Sequence, residues 1–286
     1  MKSLKDAAQS SVRFYRTATS PLRLMPDFII IGTQRGGTTS LYHYLSNHPQ
    51  IAPASMKEVH FFDHNFQKGM AWYRAQFPSM IEKYLARSGG QQTFVTGEAS
   101  PYYLFHPHVP GRVAKSVPNV KLIVLLRNPV DRAYSHYHHE VELKHEKLSF
   151  EEALAQEEAR THEEKARIAV EEHYHSYNHQ HYTYLARGIY VNQIQRWLDL
   201  FAKEQLLLIK SEDFYADPEA IFQQTLAFLK VSPAVPKREQ GYKQYNSSSY
   251  REAKMEPVLR KRLIAYFEPH NARLYQLLGQ DLGWNQ

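Results

Sequence analysis

Phe28-Ile29-Ile30-Ile31-Gly32-Thr33-Gln34-Arg35-Gly36-Gly37-Thr38-Thr39-Ser40-Leu41 is the stretch that decides the fold. Four consecutive apolar residues, three of them β-branched, predict a strand buried on both faces. The glycine-rich turn Thr33–Gly37 follows, and Thr38–Ser46 reads as a helix that Asn47-His48-Pro49 stops. Downstream, Phe94–Gly97, Val120–Leu126 and Leu206–Ile209 read as further strands. Arg127-Asn128-Pro129 ends the second of these, and a helix is expected to begin near Val130. Continuous apolar strands alternating with helices predict an α/β fold: a central parallel sheet flanked by helices.

Outward from this core the chain is more polar. Residues 1–25 read as an N-terminal arm, loose or a short helix, and residues 26–286 as one domain. Within it, about 142–186 reads as a helical, His- and Tyr-rich insertion beside the site. Its Glu- and Lys-rich part, Glu142–Glu172, is expected to be a solvated helix or helix pair. Pro233–Ser249 reads as loop, and Glu256–Leu278 as a helix that Gly279 ends.

The 286 residues carry 35 Lys and Arg against 29 Asp and Glu, a formal charge of +6, and 43% are hydrophobic. This excludes a disordered chain and favours anionic ligands. The charge is dispersed, so nucleic acid is not expected as a partner. No cysteine is present, which excludes disulfides, thiolate metal sites and a cysteine nucleophile. No apolar run approaches a membrane span and no signal peptide is evident, so a cytoplasmic location is expected. The oligomeric state is not readable.

Gly32 and Gly37 have the spacing of a phosphate-binding loop between strand and helix. Thr38, however, stands where triphosphatases carry lysine, and the loop's cation is Arg35. Such a loop suits a phosphate without Mg-dependent ATP chemistry. A nucleotide kinase-like phosphotransferase and a non-catalytic nucleotide- or glycan-binding module are the alternatives.

Three ordered motifs carry a resemblance. Gln34–Leu41 resembles the 5′-phosphosulfate loop of sulfotransferases that use 3′-phosphoadenosine 5′-phosphosulfate (PAPS). Lys57-Glu58-Val59-His60-Phe61-Phe62-Asp63 resembles the motif that follows it in heparan sulfate sulfotransferases of the glucosaminyl 3-O and N types. Arg127-Asn128-Pro129-Val130-Asp131-Arg132-Ala133-Tyr134-Ser135 resembles the family's 3′-phosphate segment. Weaker matches lie at Arg187–Tyr190, Ser211–Phe214 and Asn271–Trp284. The resemblance implies a P-loop NTPase-like three-layer fold and metal-independent sulfuryl transfer from PAPS, leaving PAP (3′-phosphoadenosine 5′-phosphate). The acceptor would be a hydroxyl or amine, with a carbohydrate as first expectation.

It also implies roles. Arg35 would stabilise charge on the sulfuryl group and its leaving oxygen. Gly36, Gly37, Thr38, Thr39 and Ser40 would hold the 5′-phosphate. Arg127 and Ser135 would converge on the 3′-phosphate, with Arg132 a helix-surface charge. Glu58 is the expected general base, its pKa raised by Val59, Phe61 and Phe62. His60 is the next candidate, and Lys57, His60, Asp63, Ser100 and Tyr103 are expected on the acceptor side. By position alone, Ser248, Ser249, Tyr250 and Arg251 would close over PAPS. The chain departs from the heparan enzymes at Ala99, in this late loop and in lacking their disulfide. Histidines 136, 138, 139, 173, 175, 179 and 181 lack the spacing of a zinc motif, so no metal is expected and they are read as solvated or substrate-facing. Trp72, Trp197 and Trp284 are expected in the core.

Overall fold

Strands β1 (Phe28–Gly32), β2 (Ile51–Pro53), β3 (Val95–Ala99), β4 (Lys121–Leu126) and β5 (Leu206–Lys210) form one sheet in the computed structural model, which describes residues 2–233 and 255–285. The order is β2-β3-β1-β4-β5 and every neighbouring pair is parallel. Ile30 lies opposite Ala99 on one side and Ile123 on the other. Side chains alternate between two cores, as strand geometry requires. Ile29, Ile31, Leu122, Val124 and Leu126 face one, and Phe28, Ile30, Ile123 and Leu125 face the other. Burial on both faces explains why these strands read as unbroken apolar runs.

The described helices are α1 (Lys2–Ala18), α2 (Thr38–Ser46), α3 (Gly69–Arg74), α4 (Met80–Ser88), α5 (Val109–Ser116), α6 (Pro129–Glu142), α7 (Phe150–Val170), α8 (Tyr177–His181), α9 (Tyr190–Leu198), α10 (Ser211–Ala216), α11 (Pro218–Leu229) and α12 (Pro257–Leu278). Local chemistry sets the ends of the two that matter most. Gly37 at φ 98° starts α2. Pro129 opens α6 after Asn128, whose side chain accepts from the Val130 amide. The strand order reverses between β3-β1 and β4, so the loops after β1 and β4 meet at one crevice, where ligands of open α/β sheets bind.

Three expectations change. The arm at residues 1–25 is largely a 17-residue helix held by its arginines. Arg16 Nε donates to the Ala75 carbonyl at 2.6 Å, and Arg23 Nη1 to that of Phe77 at 3.0 Å. The acidic stretch is not solvated all round. Helix α7, started by a Ser149/Glu152 capping box, buries Phe150, Ala153, Glu157, Thr161 and Ile168. Trp197 and Trp284 lie in the core, but Trp72 is only half-buried.

Candidate active site

The loop after β1 is shaped by contacts with its neighbours. A Cβ on Gly36 would lie 2.8 Å from the Leu125 carbonyl. The Gly36 carbonyl accepts from Ser211 Oγ at 2.6 Å, and the Thr33 amide donates to Leu125 at 2.8 Å. No side chain caps α2. Its first-turn amides thus leave the helix dipole's positive end facing the crevice. Arg35, at φ 69°, donates from Nε to Ser135 Oγ at 2.9 Å. Arg127 Nη1 donates to the Arg35 carbonyl at 3.2 Å. The three residues singled out from distant parts of the sequence therefore meet at the ends of β1, β4 and the first turns of α6. His139, one turn beyond Ser135, is kept neutral by burial and by the Arg35 charge beside it.

The segment after β2 carries a chain of charges. Lys57 Nζ donates to Thr39 Oγ1 at 2.7 Å and lies 3.1 Å from Glu58 Oε1. Glu58 Oε2 is 3.2 Å from His60 Nε2, and His60 Nδ1 is 2.7 Å from Asp63 Oδ2. One bridge therefore runs from the phosphate loop to the buried Asp63.

Glu58 does not have the raised pKa expected of it. Burial pushes it up, but the His60 hydrogen bond and the Lys57 charge outweigh that and hold it below its usual value. Val59, Phe61 and Phe62 turn into the core, while the Glu58 side chain stays 39% exposed. Burial likewise pulls His60 down, yet its bonds to Asp63 and Glu58 push it up to about 10. That direction favours the imidazolium, a cation beside Glu58, over the neutral ring a base would need.

Ser100 and Tyr103 are corrected from acceptor contacts to supports. Both are fully buried. Ser100 Oγ donates to Glu98 Oε2 at 2.7 Å and accepts from the His60 amide at 3.1 Å. Tyr103 Oη donates to Glu98 Oε1 at 3.1 Å and accepts from the Phe61 amide at 2.7 Å. Asp63 is also buried, with its oxygens taken by His60 and the His64 amide. Arg132 is no surface charge: it lies wholly inside and donates to the Tyr184 carbonyl. Ser248, Ser249, Tyr250 and Arg251 lie outside the described residues.

Two residues take no role from the sequence alone, although Arg187 opens one of the weaker family matches. Glu98 is a fully buried carboxyl that burial pushes up to about 7. A charged residue at the centre of a buried strand was its signal. Arg187 is buried over Tyr102 and Phe105 and donates to Gln34 Oε1 in the phosphate loop. The histidines are not uniformly solvated either, since His136 and His179 are buried. Folding also brings together two sets of possible metal ligands that spacing hid: His60, Asp63 and His64, and Glu140, His145 and His181.

On the other side of Glu58 and His60 lies a cleft of about 650 Å³, also lined by Arg13, Arg16, Lys68 and Trp72. Lys68 Nζ sits 4.7 Å from the centre of the Trp72 ring.

Residues 25–273 match the sulfotransferase domain family. The chain belongs to that family. A sulfotransferase of known structure from Alicyclobacillus acidocaldarius is 36% identical, covering 92% of this chain and 100% of that one, with a TM-score of 0.67. Membrane-associated sulfotransferase kil1 of Dictyostelium discoideum is 29% identical across 92% of this chain and 67% of its own length. Human heparan sulfate glucosamine 3-O-sulfotransferase 5 is 28% identical across 98% and 78%. The chain is thus a sulfotransferase with the P-loop-like three-layer architecture expected from the sequence. Among the described residues no helix is long and apolar enough to cross a membrane.

Proposed function

We propose that this sulfotransferase moves a sulfuryl group from PAPS to a hydroxyl or amine of an anionic carbohydrate, with Glu58 as general base. One observation carries the reading. Glu58 faces both the phosphate loop, through Lys57 and Thr39, and the basic, Trp-bearing cleft. The cleft's arginines and lysine suit carboxylate or sulfate groups, and Trp72 offers an apolar ring face to a sugar.

The residues present suit the donor. A lysine-free loop with uncapped helix amides, Arg35, Arg127 and Ser135 offers cations and hydrogen-bond donors to two separate phosphates. When bound, PAPS supplies a sulfuryl group on a phosphate leaving group. Arg35 stabilises negative charge at the transferring group. Glu58 takes the acceptor's proton as the new bond to sulfur forms and the bond to the phosphate oxygen breaks. His60 and Lys57 hold the Glu58 carboxylate in place until the acceptor arrives. The test is turnover with labelled PAPS against a panel of uronate-containing, sulfated and neutral oligosaccharides. Transfer to the acidic members without added metal is expected. Binding of PAP with no transfer to any acceptor would overturn the enzymatic reading, and preference for neutral acceptors would overturn the role given to the cleft.

A further inference from the structure

Helix α6 presents two faces. Ser135 and His139 point toward Arg35, while His136 and Glu140, also one turn apart, point toward the insertion. Glu140 is buried, and two histidines from different segments converge on a single one of its oxygens. His145 Nδ1, from the turn after α6, and His181 Nδ1, from the end of α8, each lie 2.9 Å from Glu140 Oε2. On the inner side His136 is wholly buried, and its Nε2 is 3.2 Å from Glu140 Oε1. Neither ring nitrogen of His136 makes a well-formed hydrogen bond with the described residues. On the outer side His145 remains about one-third exposed, and Tyr177 lies against the His181 ring at 4.3 Å between centroids.

We propose that Glu140, His145 and His181 form a divalent transition-metal site of the zinc class, with His136 as the supporting residue behind the carboxylate. Two imidazoles and one carboxylate are the protein ligands of many open zinc sites. The ligand atoms all lie within 4.8 Å of one another. In a tetrahedral zinc shell with bonds of about 2.0–2.1 Å, neighbouring ligand atoms are roughly 3.3 Å apart. The two 2.9 Å contacts therefore need to open by only a few tenths of an ångström. Each ring would take the tautomer with its single proton on Nε2, so that Nδ1 offers its lone pair to the metal, and the exposed side admits water as a further ligand. His136 lies with Nε2 3.2 Å from Glu140 Oε1, on the side away from the two ligand histidines. It can turn an N–H toward Oε1, as outer-shell partners of metal-bound carboxylates do. The ion would tie α6, the following turn and α8 together. It lies on the face of α6 turned away from Arg35, so its role is structural and separate from sulfuryl transfer.

The experiment uses full-length protein stripped with a chelator and titrated with Zn²⁺ against a competing dye, and with Co²⁺ followed by its d–d absorption. One Zn²⁺ per chain is expected, with intense d–d bands for low-coordinate Co²⁺ and a melting temperature raised by Zn²⁺. H145A and H181A should abolish these responses, and H136A should weaken affinity roughly 10–100-fold. His145 is partly exposed, so H145A should fold, which its affinity for PAP would verify. H64A, which breaks the other histidine cluster, should leave Zn²⁺ binding intact. No Zn²⁺ bound to the parent, or binding lost in H64A but kept in H145A, would overturn the assignment.

Discussion

Glu58→Gln separates the proposed base from everything else in the site. The substitution keeps length and shape but removes the proton acceptor and one of the two carboxylates that hold His60. Loss of a positioned general base lowers turnover by roughly 10²–10⁴-fold, about 2.7–5.5 kcal/mol in the barrier. Affinity for PAP should change little, because Glu58 reaches the phosphate loop only through Lys57. The pH profile carries the sharper information. Lys57 and His60 hold Glu58 below its ordinary 4.5 despite burial, so the parent's acid limb should fall below that pH and the rate should be flat across neutrality. A base buried among aromatics would instead place that limb above 4.5. His60 keeps its proton until the pH rises through about 10. The imidazolium's support for Glu58 is therefore present below that pH and lost above it, giving an alkaline limb. In Glu58→Gln both limbs should vanish, since both report on the Glu58 carboxylate that the variant lacks. Initial rates with labelled PAPS from about pH 2.5 to about pH 11 trace both limbs. If the variant turns over within a few-fold of the parent, another group is the base.

Arg127→Ala should weaken PAP by about 1.5–3 kcal/mol, the worth of a charge-assisted bond, while scarcely affecting adenosine 5′-phosphosulfate, which lacks the 3′-phosphate; calorimetric titration of both ligands decides, and equal losses would make Arg127 only a brace for the Arg35 carbonyl. Glu98→Gln should alter the dependence of stability on pH. Burial pushes Glu98 up to about 7 from 4.5, so between those values the folded chain holds a proton that the unfolded chain has released, and stability falls as pH rises. The variant should lose that part of the slope in urea unfolding at pH values across the window, and an unchanged slope would show that Glu98 is not its source.

The parts of this molecule that could be read from sequence are those whose causes are local. β1 and α2 follow from an apolar run, a glycine turn and a stop signal, all within about twenty residues. Helix α2 spans the residues predicted for it, and α12 ends at Gly279 in the left-handed conformation its sequence suggested. β2 was invisible because Ile51–Pro53 is three residues long and ends in proline. Helix α1 gave too little apolar pattern to predict its length, and its anchors are carbonyls about sixty residues away. The proximity of Arg35, Arg127 and Ser135 came from resemblance, since no periodicity links a strand-end loop to a helix a hundred residues later. Glu140, His145 and His181 show the same limit, because their spacing matches no motif and only folding joins them.

Two of the acids around the His60 turn, Glu58 and Glu98, divide the work through their surroundings. Glu58 is partly exposed, faces two cations and stays ionised. Glu98 is sealed in β3, and the hydroxyls of Tyr73, Ser100 and Tyr103 occupy its oxygens, so no acceptor can reach it. Its contribution is geometric. Through Ser100 it fixes the amide of His60, which sits at φ 48°, a left-handed backbone that a non-glycine residue adopts only when held there. Through Tyr103 it fixes the next amide, that of Phe61. The turn that aims His60 at Glu58 thus hangs on a carboxyl that never touches the reaction. Motifs separated by forty residues act as one unit: in the proposed mechanism the exposed acid takes the proton, and the buried one fixes the turn that sets the His60 ring beside it.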